Sequence, residues 1–186
     1  MKLYPLAIAL ITAVILAAHL AAPPAYDWRA NTISELGAQG YSNAWIMRLG
    51  FAGFCLLLIP GGMLRLKARR TSWPRELPLI LYGACIGLSG AFSTQPFLPE
   101  VSFSQAEANL HSLLATSAGV LLSLSMLLYM FLDSDMRRKF VHLVALILTV
   151  AISALFGMVS SGAGIVQRIL YLVGFAWLVF IDWQVE

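Results

Sequence analysis

The sequence predicts an all-α membrane protein, with six transmembrane helices packed as one bundle in a single domain over residues 1–186. Of the 186 residues, 60% are hydrophobic and 11% are charged. Because a soluble domain has about 25% charged residues, this chain lacks the polar side chains needed to cover a surface in water. Its apolar residues also fall into six runs, each close to the roughly 20 residues that a helix needs to cross a bilayer.

The six runs define the predicted spans. They are residues 3–25, 44–64, 77–98, 108–132, 140–159 and 162–181. The first is interpreted as a retained helix and not as a signal peptide, since its apolar stretch is longer than a typical h-region. In the last, only 13 residues separate Arg168 from Asp182, about 20 Å of helix, which is too short to cross. We therefore expect Arg168 to lie inside the membrane zone.

The distribution of basic residues predicts the orientation. Nine of the twelve Lys and Arg residues fall before the first span or in the connections after the second and fourth. The remaining three are Arg29, Arg48 and Arg168. Since cytoplasmic loops are enriched in Lys and Arg, both termini are predicted to be cytoplasmic.

Several classes of function find no support in the sequence. Outside the spans there are no blocks of Lys and Arg interleaved with aromatic residues, so nucleic acid is not an expected partner. Cys55 and Cys85 lie within apolar runs, where a cysteine is usually a small packing residue. Neither a phosphate-binding loop nor a dinucleotide fingerprint is present. We predict no cofactor, no metal centre and no catalytic residue.

Two spans carry small residues at four-residue spacing, which lets helices approach closely in lipid. They are Gly83, Gly87 and Ala91 in the third span and Ser153, Gly157 and Ser161 in the fifth. The pattern favours packing inside the bundle, with a homo-oligomer interface as the alternative.

Polar and ionisable side chains are predicted to meet at the outer membrane edge, and we call them the outer-edge cluster. Its members are Asn31, Ser34, Glu35, Arg48, Glu107, His111 and Arg168. Thr32 and Glu35 have the spacing of a capping box, and Gly37 is placed to end one helical turn. Ionisable groups at this depth are expensive and normally have a partner. We therefore expect Arg168 to pair with Glu107 or Glu35.

Three interpretations of the outer-edge cluster remain open. One is a buried ion pair that fixes the helix register. In the leading functional hypothesis, a non-enzymatic protein binds a membrane lipid or small amphipathic molecule, with Arg48 and Arg168 as donors. Glu35, Glu107 and His111 would orient them. The third is hydrolytic or proton-relay chemistry.

An enzyme would need further residues around His111. The hydrolase alternative uses His111 as base or metal ligand, beside Ser34 and Glu35 or another carboxylate, but no nucleophile-elbow motif is present. His19 and His111 lie at similar predicted depth, which would allow haem ligation, although two histidines alone are weak evidence. A further alternative is an accessory or scaffold subunit of a membrane complex.

The chain resembles the DUF998 family of bacterial and archaeal membrane proteins. The resemblance is carried by residues 31–37, with the sequence NTISELG, by the small residues that follow, by His111, and by residues 164–168, with the sequence GIVQR. The family often has Asp where this chain has Glu35, which is a conservative departure. The resemblance implies a six-helix fold in the cell membrane and brings no established activity.

Overall fold

The computed structural model describes residues 2–159 and 161–184, and throughout them the regular structure is helical. The six long helices are α1 (Leu3–Leu20), α2 (Ala44–Lys67), α3 (Trp73–Ala91), α4 (Gln105–Leu132), α5 (Met136–Met158) and α6 (Ala163–Trp183). A 3₁₀ turn at Ser34–Gly37 lies in the connection between α1 and α2. The all-α prediction is therefore confirmed for the described residues.

Five of these helices are long and apolar enough to cross a membrane. The sixth, α3, is not among them. Its 19 residues include Arg75, Glu76 and two prolines, which lower the hydropathy of its first two turns. The apolar composition identifies a multi-pass membrane protein.

Two predicted spans extend beyond the observed helices. The first was expected to continue to residue 25, but α1 ends at Leu20. The third was expected over 77–98, whereas α3 begins at Trp73 and ends at Ala91. Pro23 and Pro96 disfavour helical geometry in the residue that precedes each of them, which works against a helix that continues to residue 25 or to residue 98.

The helices pack in chain order and antiparallel, and α6 returns to contact α1. The connections after α1, α3 and α5 consequently lie at one end of the bundle, which we call the 3₁₀ end. The connections after α2 and α4 lie at the other, together with the N-terminus of α1 and the C-terminus of α6, and we call this the basic end. The core between them is apolar, and its largest fully buried side chains include Trp177, Tyr4 and Phe54.

The two stripes of small residues behave differently. On α3, a Cβ at Gly87 would lie only 2.7 Å from Cβ of Cys55, and one at Gly83 would lie 3.0 Å from Leu58. This stripe packs against α2, as the intramolecular interpretation predicts. On α5, a Cβ at Gly157 would have no atom within 4 Å beyond its chain neighbours and the backbone of α5 itself. The α5 stripe therefore leaves space instead of closing it.

Candidate functional site

Arg168 fastens the start of α6 to the connection that follows α1. Its Nη1 donates to the carbonyl oxygens of Trp28, Asn31 and Gly164 at 2.7, 3.1 and 2.9 Å, and its Nη2 donates to the hydroxyl of Tyr26 at 2.8 Å. No carboxylate lies within ion-pair distance of it among the described residues. The expected pairing with Glu107 or Glu35 was wrong, because main-chain oxygens satisfy the guanidinium.

Close backbone approach makes this arrangement possible. A Cβ at Gly164 would collide with the carbonyl oxygens of Asn31 and Trp28, so only glycine allows α6 to come so near. The amide nitrogens of Gly164 and Ile165 donate to Ala30 and Arg29 oxygens at 3.2 and 3.1 Å. The first amides of α6, which lack partners within the helix, are therefore satisfied by the loop.

Glu35 acts within the 3₁₀ turn. Its Oε2 accepts from the backbone nitrogen of Thr32 at 2.6 Å, and Thr32 Oγ1 accepts from the nitrogen of Glu35 at 3.2 Å. This reciprocal pair is the predicted capping box. Gln167 Oε1 accepts from the backbone nitrogen of Ile33 at 2.6 Å, which ties the turn to α6. Asn31 Oδ1 accepts from Asp27 nitrogen at 2.9 Å.

Tyr26 completes the connection around Arg168. Its hydroxyl donates to the carbonyl oxygen of Thr32 at 2.9 Å, and its ring makes an edge contact with His19. Burial raises the pKa of the Tyr26 phenol, although the neighbouring Arg168 acts in the opposite direction. The phenol thus remains a neutral donor near neutral pH.

Arg48, Glu107 and His111 satisfy backbone groups of other connections. Arg48 Nε donates to the carbonyl oxygen of Gly37 at 3.1 Å. Glu107 Oε1 accepts from the backbone nitrogen of Ser93 at 2.7 Å. His111 Nδ1 lies 2.9 and 2.8 Å from the carbonyl oxygens of Ser89 and Phe92. Because carbonyls only accept, Nδ1 carries the proton.

The outer-edge cluster therefore holds loops in place and does not converge on one pocket. Of its seven members, Ser34 is the one that lines the large cavity described below. That the seven bind a ligand stays a prediction. No serine hydroxyl hydrogen-bonds to His111 in residues 2–159 and 161–184. Within the same residues there is no group of three His, Cys, Asp or Glu side chains able to hold a metal ion.

A cavity of about 660 Å³ lies between α3, α4, α5 and α6, and we call it the lateral cavity. On α6 its wall is formed by Gln167, Leu170, Tyr171, Gly174 and Phe175, a single helical face. Its remaining walls include Ser34, Tyr82, Ser89, Thr116, Gly119, Val120, Val150, Ser153 and Gly157.

The lateral cavity is open between α4 and α5. Val120 and Val150, which belong to its wall, are 62% and 53% exposed. Apart from the chain neighbours and the backbone of its own helix, no atom lies within 4 Å of a Cβ built at Gly119 or Gly157. The missing side chains of these two glycines create part of the space.

The comparisons with known proteins establish the family. A family model described as "Protein of unknown function (DUF998)" matches residues 5–183, nearly the whole chain. The chain belongs to the DUF998 family. No curated protein and no solved structure gives a match.

This DUF998 protein also has a second polar group, at the basic end, which the sequence analysis missed. Arg65 donates from Nε to Glu76 Oε1 at 2.8 Å and from Nη1 to Asp182 Oδ1 at 3.1 Å. Tyr4 and Tyr129 donate their hydroxyls to the Glu76 carboxylate at 2.6 and 2.7 Å. We call these five side chains the basic-end cluster, and they come from five different helices.

α5 joins the same region through His142. Trp177 Nε1 donates to His142 Nδ1 at 3.0 Å, so Nδ1 of this fully buried ring is an acceptor. His142 Nε2 faces Asp133 Oδ2 at 3.5 Å, and Arg138 Nη2 pairs with Asp133 Oδ1 at 2.9 Å. Although burial alone would raise it, the pKa of Asp133 lies below its ordinary value because Asp135 nitrogen, Arg138 and His142 stabilise the carboxylate.

Arg65 was assigned to the cytoplasmic positive charge because it stands among other basic residues. The sequence feature that could have revealed its burial lies on other segments. Glu76 at the start of α3 and Asp182 near the end of α6 are acids next to apolar runs. An acid in such a place needs a cation close by.

Proposed function

We propose that this DUF998 protein crosses a bacterial or archaeal cell membrane six times, with both termini in the cytoplasm. We further propose that it binds a lipid or small amphipathic molecule in the lateral cavity. The observation that carries the binding proposal is the cavity itself, whose volume of about 660 Å³ falls within the roughly 300–1,000 Å³ of ligand sites.

The walls suit such a molecule. They are mainly apolar, with a small number of hydroxyl and amide groups, the composition that usually fixes the orientation of a ligand. The opening between α4 and α5 faces outward from the bundle. In a bilayer this side would meet lipid chains, so a ligand would enter directly from the membrane.

The outer-edge cluster then has a supporting role. Ser34 contacts the ligand, and Glu35, Asn31 and Arg168 act through the connection that carries Ser34. Arg48, Glu107 and His111 fix the neighbouring connections. Their bonds to main-chain oxygen and nitrogen atoms are what a stable rim for the cavity requires.

Native mass spectrometry of gently solubilised protein tests this proposal. In Gly157→Leu the new side chain enters the empty space of the lateral cavity, while the matched variant Ala154→Leu adds similar bulk on the same helix at an exposed position outside its wall. We expect an adduct that copurifies with the wild type and with Ala154→Leu and is absent from Gly157→Leu. The adduct mass would identify the class of ligand.

Two results would contradict the proposal. One is an adduct retained in Gly157→Leu at the wild-type level. The other is the absence of any adduct from a wild-type protein that stays folded, which would instead favour a scaffold in a larger membrane complex.

A further inference from the structure

The lateral cavity has no charged wall. None of its lining residues is Asp, Glu, Lys, Arg or His. The charged residues next to the lining positions in sequence point elsewhere: Glu35, beside Ser34, bonds to Thr32, and Arg168, beside Gln167, bonds to main-chain oxygens. A charged group on a ligand would therefore find no counter-charge in the wall, and an unpaired charge in an apolar site is strongly disfavoured.

The wall does offer hydrogen-bond donors. Tyr82 is 7% exposed and lines the cavity, yet its hydroxyl has no hydrogen-bond partner in the described part of the chain. Tyr171 also lines the cavity, and its hydroxyl is likewise without a partner in residues 2–159 and 161–184. Both hydroxyls are thus free to donate into the cavity. Because the hydroxyl of a tyrosine in an apolar environment normally finds a partner, two in one cavity point to an acceptor supplied by a ligand.

The two tyrosines belong to one layer of aromatic rings. Ring contacts run from Tyr82 to Phe54 at 6.1 Å, from Phe54 to Phe175 at 5.9 Å, and from Phe175 to Tyr171 at 5.4 Å between centroids. Tyr171 lies one helical turn further from the 3₁₀ end than Gln167, on the same face of α6. Tyr171 is therefore attached to α6 one turn deeper in the bundle than Gln167.

The 3₁₀ end of the cavity has its own polar groups. Gln167 is oriented by the bond between its Oε1 and Ile33 nitrogen, which leaves its Nε2 without a partner among the described residues. The hydroxyl of Ser34 also has no hydrogen-bond partner among the described residues. Both side chains line the cavity. Neutral donors are thus available from the 3₁₀ turn, from α3 and from two successive turns of α6.

We infer that the lateral cavity takes a neutral amphipathic molecule with a hydrogen-bond-accepting oxygen, to which the hydroxyls of Tyr82 and Tyr171 donate. This inference rests on the proposed function. A carbonyl, ester or quinone-type oxygen has the required chemistry. The head group of a phospholipid does not, because its charge would be unpaired in this wall.

Two probes with the same oleoyl chain test the inference. Monooleoylglycerol is neutral and has an ester carbonyl, whereas oleoyl lysophosphatidylglycerol is anionic. Binding of each to the whole protein is measured by native mass spectrometry over a concentration series, for the wild type, Tyr82→Phe, Tyr171→Phe, Gly157→Leu and the control Ala154→Leu.

We expect monooleoylglycerol to bind the wild type and Ala154→Leu equally and to lose binding in Gly157→Leu. Each Tyr→Phe variant should weaken it about 2- to 10-fold, the effect of one hydrogen bond. The Phe variants should unfold at the wild-type temperature, since they remove hydroxyls that bond to nothing else in the described chain. Binding of the anionic probe should not depend on residue 157.

The failures are distinguishable. If Gly157→Leu removes monooleoylglycerol but both Phe variants bind it like the wild type, the tyrosine inference is overturned and the proposed function stands. If Gly157→Leu loses binding of the anionic probe as it loses monooleoylglycerol, selection for a neutral molecule is overturned. If Gly157→Leu binds monooleoylglycerol as the wild type does, both the inference and the proposed function fail.

Discussion

Arg65 and Glu76 form an ion pair inside the bundle, with 2.8 Å between Nε and Oε1 and side chains that are 7% and 0% exposed. Removing two charges from water is expensive unless further hydrogen bonds satisfy both groups. Here Asp182 and the carbonyl oxygen of Ile181 accept from Arg65, and two tyrosine hydroxyls donate to Glu76. The pair therefore joins the consecutive helices α2 and α3, and through Asp182 it also ties them to α6 at the far end of the chain.

Breaking this pair on one side should be costly. Arg65→Met keeps the volume of the side chain but leaves Glu76 buried without its cation, so we expect a loss of about 3–5 kcal/mol in the free energy of unfolding. Thermal unfolding in detergent measures it. Arg137→Met, at an exposed position of the same charge, is the control. Adding Glu76→Gln to Arg65→Met should recover part of the loss, and strictly additive effects would contradict a coupled pair.

Arg168→Lys should loosen the connection between α1 and α2. Lysine keeps the charge but lacks the planar fork that reaches Trp28, Asn31 and Tyr26 together. We expect faster amide hydrogen exchange over residues 27–37 and a stability loss of about 1–3 kcal/mol. Arg29→Lys, at an exposed position of the same loop, should leave both unchanged. Exchange equal to the wild type in Arg168→Lys would show that these bonds do not hold the loop.

Whether α3 crosses the membrane decides the topology. α3 packs between α2 and α4. We therefore expect it to cross, although it is not among the five helices that are long and apolar enough by themselves. Six crossings place the two termini on the same side, and the distribution of basic residues predicts that this side is cytoplasmic. Reporter fusions that are active only in the cytoplasm should work at both ends. Activity at one end alone would mean an odd number of crossings.

The ionised carboxylate of Asp133 should stabilise the folded protein at neutral pH, and this stabilisation should be lost in acid. Since its folded pKa lies below the ordinary value of about 3.9, its contribution is present above that value and is lost as pH falls through the folded pKa. The groups that face Asp133 are Arg138, His142 and Asp135. We expect Asp133→Asn to unfold at a lower temperature than the wild type at pH 7.

The pH profile provides the check on that prediction. Unfolding temperatures of the two proteins, measured in detergent between pH 3 and pH 7, should converge toward the acidic limit. A difference that stays constant over the whole range would show that the charge of Asp133 is not responsible. Ser134→Ala, at the neighbouring exposed position, should follow the wild type throughout.

The sequence predicted the helices better than their ends. Apolar run length identified every long helix of the described chain, because the bilayer imposes that length on each crossing. Run length did not give the correct ends of α1 and α3. After α3, the apolar residues Phe97 and Leu98 extend the run beyond the helix. In the structure these residues lie in the connection, and their amide nitrogens bond to the hydroxyl of Tyr41 at 3.0 and 3.1 Å.

The candidate site was predicted less well, and Arg168 shows the reason. Span length predicts that it lies in the membrane zone, which stays a prediction. Its partner was expected among carboxylates, since hydropathy and charge reveal only ionisable groups. Carbonyl oxygens of a folded loop are equally good acceptors, and which of them converge depends on the loop conformation. The same limit applies to Arg65, whose burial depends on acids carried by other helices, Glu76 on α3 and Asp182 on α6.

By itself the sequence determined an all-α membrane protein with long apolar helices, the DUF998 resemblance and the capping box at Thr32 and Glu35. Each is a property of composition or of residues within a few positions of one another, so local physical chemistry is sufficient. Tertiary structure alone decided that the α3 stripe closes on α2 while Gly157 opens a cavity. It also decided that Arg65 meets Glu76 on the next helix and Asp182 on the last, because which side chains of two helices meet depends on how the helices pack.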